Sequence, residues 1–315
     1  MQIHQLVGFC IAFVLCVGAL IKDDGNPELL VVTVATEEND GLARLKRSAE
    51  AFKINLHVFG LGEQWNGGDV KSNPGGGQKI RILKENLKQY KDRSDLVILF
   101  VDAYDVIFNG KDDEILSRFL VYYKDFRIVF SAEGFCWPDP ELSSEYPLVK
   151  FGKRYLNSGL FMGYAPEVWK LINLMPIRDS DDDQLFYTLI YLDRKRRASL
   201  EMTLDSLSYI FQNLNGAVSD VSVEPKTSGE VVLHNVPYAT HPLIIHGNGP
   251  SKIHLNKLGN YLGKAWEGNG KCQLCGEAER GLLKEANKDK WPVVTLAIFI
   301  AKPVPFVREF LQTVA

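Results

Sequence analysis

Two aspartates three residues apart, Asp102 and Asp105, close an apolar run in "DLVILFVDAYDVIF" (95–108). Carboxylates on one turn can converge on a hard divalent cation such as Mg²⁺ or Mn²⁺, which takes oxygen ligands. That ion can in turn neutralise a diphosphate. A solvated turn, where Asp is common, accounts for the spacing equally well. The buried strand before the pair tips the reading towards metal. His246 ends a second apolar stretch, "HPLIIHGNG" (241–249). Gly247 would let backbone approach a phosphate, and Lys252 could reach the same charge as a point cation. A lone His is more often structural than a ligand, so the spacing leaves its role open.

Two further stretches carry candidate chemistry. "WNGGDVKSNPGGGQK" (65–79) holds two glycine clusters, Trp65 and two lysines, Lys71 and Lys79. It matches neither the P-loop nor G-x-G-x-x-G, and reads as a lid over a nucleotide or as a plain linker. "DDDQ" (181–184) carries Asp181 and Asp182, which could orient a sugar hydroxyl or act in catalysis. Acids at a helix start are also favoured by the macrodipole, and the residues alone favour that reading. Tyr104 and Trp137 could stack a base or a sugar, although aromatics at strand ends are more often core.

These residues need a scaffold, and the periodicity supplies one. Residues 28–36, 54–61, 95–102 and 127–134 read as strands, with amphipathic helices over 40–52, 79–92 and 113–126 between them and Asp40 as the first N-cap. Alternating strand and helix is the α/β pattern, with parallel pairing and right-handed crossovers. Ligands in such sheets bind beyond the C-terminal strand ends, where the two aspartates stand. Further on, 155–164 reads as a strand-pair element, 179–193 as a helix, 199–216 as strand and turn, 241–249 as a strand and 261–281 as an irregular segment.

The chain has 315 residues, 46% hydrophobic and 24% charged, which is globular composition. A net charge of −3 argues against nucleic acid as a bulk electrostatic partner. Leu6 to Leu20 form an apolar run followed by "KDDGNPE". The run is short for a membrane span, which needs about 20 residues. It reads as a secretory signal peptide over 1–21, with a signal anchor as the alternative. Cys10 and Cys16 would leave with it. Cys272 and Cys275, in "CQLC", then suit a local disulfide. Cys136 is left as an odd thiol, expected to be buried beside Trp137.

"LLVVTVAT", "GLGEQWNGGDVKSNPGGGQKIRILKENL", "ILFVDAYDVIF", "FSAEGFCWPDP", "KRYLNSGLFMGY", "DDDQLFYT", "IFQNLNG" and "IIHGNGPSK" together resemble the N-terminal glycosyltransferase domain of the procollagen lysyl hydroxylases. The resemblance runs from about residue 28 to the end. It implies a GT-A-like (Rossmann-like) α/β nucleotide-sugar-binding domain over 22–270, with a mixed, mostly parallel sheet. A CxxC linker over 271–290 and the truncated start of a second α/β accessory domain over 291–315 would follow. The last 25 residues echo the first strand and helix of the chain. Cut off there, they are expected to be poorly anchored.

The resemblance further implies Mn²⁺ held by Asp102, Asp105 and His246. UDP-glucose or UDP-galactose would be the donor, with Tyr104 stacked on uracil and Thr36, Lys79, Gly247 and Lys252 beside the nucleotide. Trp65, Asn157, Asp181 and Asp182 would handle sugar or acceptor. The acceptor would be collagen hydroxylysine or galactosyl-hydroxylysine in the endoplasmic reticulum lumen, with a homodimer in the full-length family. No membrane span is expected after signal cleavage. A non-catalytic collagen-binding or scaffolding domain is the alternative. The Fe²⁺, 2-oxoglutarate and ascorbate of the family's hydroxylase belong to a domain beyond these residues. No acid stands two positions after any of the six histidines, so no H-x-D or H-x-E pair begins the two-His, one-carboxylate iron triad. Lysine hydroxylation by this chain alone is not expected.

Overall fold

The computed structural model describes residues 27–68, 75–226, 231–259 and 262. The apolar N-terminal run, the CxxC pair and residues 291–315 lie outside them. Strand β1 (Glu28–Val34), helix α1 (Asp40–Ala51), β2 (Leu56–Phe59), α2 (Gly77–Leu87) and β3 (Leu96–Val101) follow in the order the sequence suggests. A short β4 (Val106–Phe108), α3 (Asp112–Tyr122), β5 (Ile128–Glu133) and the ten-residue β6 (Tyr155–Tyr164) come next. Then come α4 (Ala165–Ile172), α5 (Asp183–Leu192), α6 (Arg194–Ser199) and β7 (Met202–Asp205).

The main sheet has the order β2-β1-β3-β6-β5-β7. Five strands run one way; β6 runs antiparallel between β3 and β5. Helical crossovers cover both faces, so β3 is buried on both and reads as one unbroken apolar run. Its side chains alternate. Leu96, Ile98 and Phe100 join a core with Ile80, Leu83, Phe161 and Tyr187. Val97, Leu99 and Val101 join another with Leu42, Leu45, Phe108 and Phe119.

A smaller sheet continues the site edge. β8 (Phe211–Asn213) lies parallel, and β4 antiparallel, to β11 (Ile244–His246). Asp205 fixes the approach to β8. Its buried carboxylate accepts the backbone N–H groups of Tyr209, Ile210 and Phe211, each at 2.8 Å, and the Tyr123 hydroxyl at 2.6 Å. Hairpin β9–β10 (Val221–Pro225, Val231–Asn235) and α7 (Lys252–Leu258) complete the described elements.

Several details differ from expectation. Asn39, not Asp40, caps α1; its backbone is extended and its Oδ1 accepts the Leu42 N–H at 3.1 Å. α2 begins two residues early because Gly76, at φ +98°, turns the chain into it. Residues 155–164 form one strand rather than a pair element. Cys136 is half-buried, with Sγ donating to the Asp139 carbonyl at 3.2 Å, and its neighbour Trp137 is exposed. The strands over 54–61 and 241–249 shorten to four and three residues. Among the described residues, no helix is long and apolar enough to cross a membrane.

Candidate functional site

β3 ends at Val101, and the turn to β4 carries Asp102, Ala103, Tyr104 and Asp105. Each polar residue of this turn is tied down by its backbone. The Asp102 N–H donates to the Gly159 carbonyl (2.8 Å), Arg44 Nη2 donates to the Tyr104 carbonyl (2.7 Å) and the Gly247 N–H donates to the Asp105 carbonyl (2.8 Å). Gly41 of α1 packs so closely that a Cβ there would stand 2.5 Å from the Tyr104 carbonyl oxygen. The turn therefore presents both carboxylates from a rigid backbone.

His246, the last residue of β11, faces them. Its Nε2 lies 3.4 Å from Asp105 and 3.8 Å from Asp102. One ligand atom from each of the three lies within 4.8 Å of the other two. The ring orientation is set from behind. Nδ1 meets the side-chain oxygens of Asn157 (3.1 Å) and Asn213 (2.9 Å). The Asn157 amide nitrogen is committed to Glu133, and that of Asn213 to the Ala132 carbonyl. Both amides thus offer only oxygen to Nδ1, which must carry a proton, leaving Nε2 directed at the aspartates.

The space beneath the cluster is kept open by Gly159. A Cβ there would stand 2.3 Å from His246 Cε1 and 2.8 Å from Asp102 Oδ2. A break in the β5–β6 ladder creates this point. Pairing passes from Phe130↔Phe161 to Ser131↔Asn157, skipping Ser158, Gly159 and Leu160. Irregularities of this kind re-aim side chains beside sites.

Two lysines neutralise the acids. Lys79 Nζ lies 3.0 Å from Asp102 and 2.7 Å from Asp183. Lys252, the first residue of α7, reaches Asp105 at 3.2 Å while half its side chain stays exposed. The titration of the groups follows. Burial raises the Asp102 carboxyl further than Lys79 lowers it, so its pKa stands above the usual range. Burial would also raise Asp105, but His246 and Lys252 outweigh it and hold this carboxyl below that range. Burial lowers His246, and the Asp105 charge more than reverses this, leaving it raised. Lys79 is also raised, the attraction of Asp102 and Asp183 exceeding its desolvation.

The acid run at 181–183 divides three ways. Asp181 turns outward to Arg178 at 2.7 Å and does not join the cluster. Asp182 caps α5, accepting the Leu185 N–H, and takes the Gly75 N–H at 3.0 Å. Asp183 is the acid that enters, bound to Lys79 and to the Ser158 hydroxyl at 3.1 Å. Residues 75–77 are docked on this run: the Gly77 N–H donates to the Asp181 carbonyl at 2.8 Å, and Gly76 bridges Asp182.

The other candidates scatter around the same end of the sheet. Thr36 lies just past β1, its carbonyl accepting the Gly62 N–H. The Tyr104 hydroxyl sits 3.4 Å from the main chain of Glu37 and the ring is half-buried. A Cβ on Gly247 would meet Leu255 at 2.5 Å, so this glycine lets α7 close on the turn. Trp65 folds over Gly67 and donates to the Gly68 carbonyl, and no described contact ties it to the aspartates.

Of the residues supporting His246, sequence reasoning offers Asn157, for sugar or acceptor, and misses the rest. Glu133, 3% exposed at the end of β5, accepts amides from Asn157, Gln184 and Asn248 at 2.9–3.0 Å. Burial raises its carboxyl against those hydrogen bonds. An acid ending an apolar strand in "IVFSAE" is the one signal that could have found it; the amides of Asn213, Gln184 and Asn248 carry none.

Residues 25–272 match the family described as "PLOD GT domain". A Caenorhabditis elegans "Multifunctional procollagen lysine hydroxylase and glycosyltransferase" is 55% identical over 289 residues, 92% of this chain and 39% of the relative. The Homo sapiens "Multifunctional procollagen lysine hydroxylase and glycosyltransferase LH3" is 47% identical over 292 residues, with the same coverage. "Procollagen-lysine,2-oxoglutarate 5-dioxygenase 1" of Gallus gallus is 45% identical over 293 residues, 93% of this chain and 39% of that protein. The chain thus spans about two fifths of the length of these relatives. Among solved structures, a glycosyltransferase involved in the glycosylation of the major capsid of PBCV-1 aligns over 73% of this chain and 100% of its own, at 11% identity and a TM-score of 0.41, too distant to add to the argument. A match over most of the described fold, joined to relatives near half identity across nine tenths of the chain, leaves one conclusion: this chain belongs to the PLOD GT domain family.

Proposed function

We propose that this domain transfers glucose or galactose from the UDP-sugar to collagen hydroxylysine or galactosyl-hydroxylysine, in the lumen of the endoplasmic reticulum. The observation that carries the reading is the convergence of Asp102, Asp105 and His246 beyond the C-terminal end of β3, flanked by Lys79 and Lys252. The donor set fits Mn²⁺: two carboxylates and one imidazole with Nε2 directed inward, over a glycine that leaves the space free. Bound there, the ion would offset charge growing on the departing diphosphate. The apolar run before residue 21 would bring the chain to the lumen as a cleaved signal, and the relatives' names supply the collagen acceptor.

The chain's own residues divide the remaining work. Tyr104 offers an aromatic face at the rim, suited to uracil. Lys79 and Lys252 can turn from the acids to the diphosphate oxygens, each as a point charge. Gly247 brings backbone close on the same side, and Thr36 borders the nucleotide at the end of β1. Asn157 and Glu133 hold His246 in place. Asp183, buried and gripped by Lys79 and Ser158, sits where a sugar hydroxyl can be oriented, with Asp182 holding the helix start that aims it. Asp181 and Trp65, neither in contact with the aspartates, are left for the acceptor.

The direct test uses the purified chain, either UDP-sugar and collagen peptides bearing hydroxylysine or galactosyl-hydroxylysine, with and without Mn²⁺. A gain of one hexose by mass spectrometry is expected only with Mn²⁺. Asp102→Ala and Asp105→Ala should abolish it while circular dichroism is unchanged. Undiminished transfer in either variant refutes the metal assignment. Absence of transfer to either acceptor, with UDP binding intact, moves the domain to a scaffolding role.

A further inference from the structure

Hairpin β9–β10 carries a second convergence of ligating groups, on a different sheet from the aspartates. Two backbone hydrogen bonds close the segment after β10: Asn235 N–H to Thr240 C=O at 2.8 Å, and Thr240 N–H to Asn235 C=O at 3.2 Å. That antiparallel bridge sets the next pair, His234 and His241, opposite each other. It is the pair without mutual hydrogen bonds, in which side chains stand closest. Their rings stack at 4.9 Å between centroids and 18° between planes. Glu224 lies on the same face, because it pairs with Val232, two residues before His234. β9, β10 and the segment that returns beside β10 therefore each contribute one ligand.

The ligand atoms lie close together, and turning the two rings out of their stack would face both on one ion. His234 Nδ1 lies 2.5 Å from Glu224 Oε1, and His241 Nε2 lies 3.8 Å from Glu224 Oε2. One ligand atom from each residue lies within 4.8 Å of the others. A tetrahedral ion about 2.0–2.1 Å from each ligand would set them roughly 3.3 Å apart, a spacing within small side-chain movements of these distances to the two carboxylate oxygens. The backbone is fixed as well. Asn235, fully buried on the opposite face, donates to Gln212 at 2.7 Å, and Arg118 donates to the His241 carbonyl. The ladder and the anchored backbone hold all three side chains on one face, so an ion need only turn the rings to complete the set.

We propose that Glu224, His234 and His241 form a binding site for a divalent transition metal of the zinc class, separate from the site at Asp102. Two imidazoles and one carboxylate with an open fourth position are a zinc donor set. Imidazole-rich sites favour Zn²⁺ over Mn²⁺, whereas the two-carboxylate site suits the harder ion. His241 is nearly half exposed, which leaves the fourth position to water. The ion would pin β9, β10 and the returning segment together, stabilising the edge from which the chain runs into β11 and His246.

The test is Zn²⁺ titration of the full chain by calorimetry, in a Cys272→Ser, Cys275→Ser background that removes competing thiols. Bound Co²⁺, read by its tetrahedral visible absorption, reports the geometry. A Zn²⁺ site is expected that weakens by a factor of about 100 or more in His234→Gln and in His241→Gln. The same site should persist in Asp102→Ala. His241→Cys, which restores a zinc ligand, should recover binding, and near-ultraviolet circular dichroism should match in every variant. Zn²⁺ binding unchanged in both His→Gln variants overturns the proposal. So does a Co²⁺ spectrum lost in Asp102→Ala and kept in His241→Gln.

Discussion

Gly159→Ala tests the architecture of the Asp102 site with a single methyl group. An added Cβ would stand 2.3 Å from His246 Cε1 and 2.8 Å from Asp102 Oδ2. Ordinary contact begins near 3.4 Å, so the imidazole must retreat by about 1.1 Å or the strand must shift by as much. His246 is 3% exposed and pinned at Nδ1 by two amides, so it cannot swing clear cheaply. Metal sites tolerate ligand errors of about 0.2 Å, and a misplacement near 1 Å costs on the order of 100-fold at a reacting centre. We expect Mn²⁺ affinity to fall about 100-fold, equivalent to about 2.7 kcal/mol, with about 1–3 kcal/mol of fold stability lost to overpacking. Calorimetry with Mn²⁺ and thermal denaturation read the two quantities. Gly134→Ala is the control, since nothing lies within 4 Å of a Cβ there. If Gly159→Ala binds Mn²⁺ as tightly as the parent chain, the reasoning from this contact is wrong.

Other expectations are as direct. Tyr104→Ala should weaken UDP binding by about 1–3 kcal/mol, the range for base stacking on an aromatic side chain, and equal affinity in calorimetry would assign the ring to structure instead. His246 must lose its Nε2 proton to take a metal. Burial lowers its pKa but Asp105 raises it further, above the ordinary 6.5. Mn²⁺ affinity should therefore keep climbing as pH rises past 6.5, and a titration already flat at that pH would contradict the cause given. Asp205→Ala, which orphans three backbone N–H groups and the Tyr123 hydroxyl, should cost about 3–5 kcal/mol of stability in urea unfolding. A loss below 1 kcal/mol would show that water replaces the carboxylate there.

The parts of this molecule visible in its sequence are those whose cause is local. β3 announces itself because a strand buried on both faces must be apolar throughout, and the change to Asp at its end marks the edge of the sheet. The pattern could not show the direction of β6, since an apolar run reads alike both ways. Nor could it choose among Asp181, Asp182 and Asp183. All three suit a helix start, and which one faces Lys79 depends on how residues 75–77 dock across about a hundred positions of sequence. Asn39 and Asp40 are both good caps; only backbone geometry separates them. The amides behind His246 come from β6 and β8, far apart in the chain, and Asn and Gln have no spacing that betrays a shared task.

The lysines that grip the acids carry a thermodynamic consequence. Lys79 spans Asp102 and Asp183, and Lys252 holds Asp105. On the proposed function, a dication settling on the carboxylates would compete with those same ammonium groups and free them for a diphosphate. Each guest would then prepare the chain for the other. Because the cycle must close, the factor by which cation tightens UDP equals the factor by which UDP tightens cation. With neither guest present the acids keep their own countercharges, so each guest bound alone should be held more weakly than in the presence of the other.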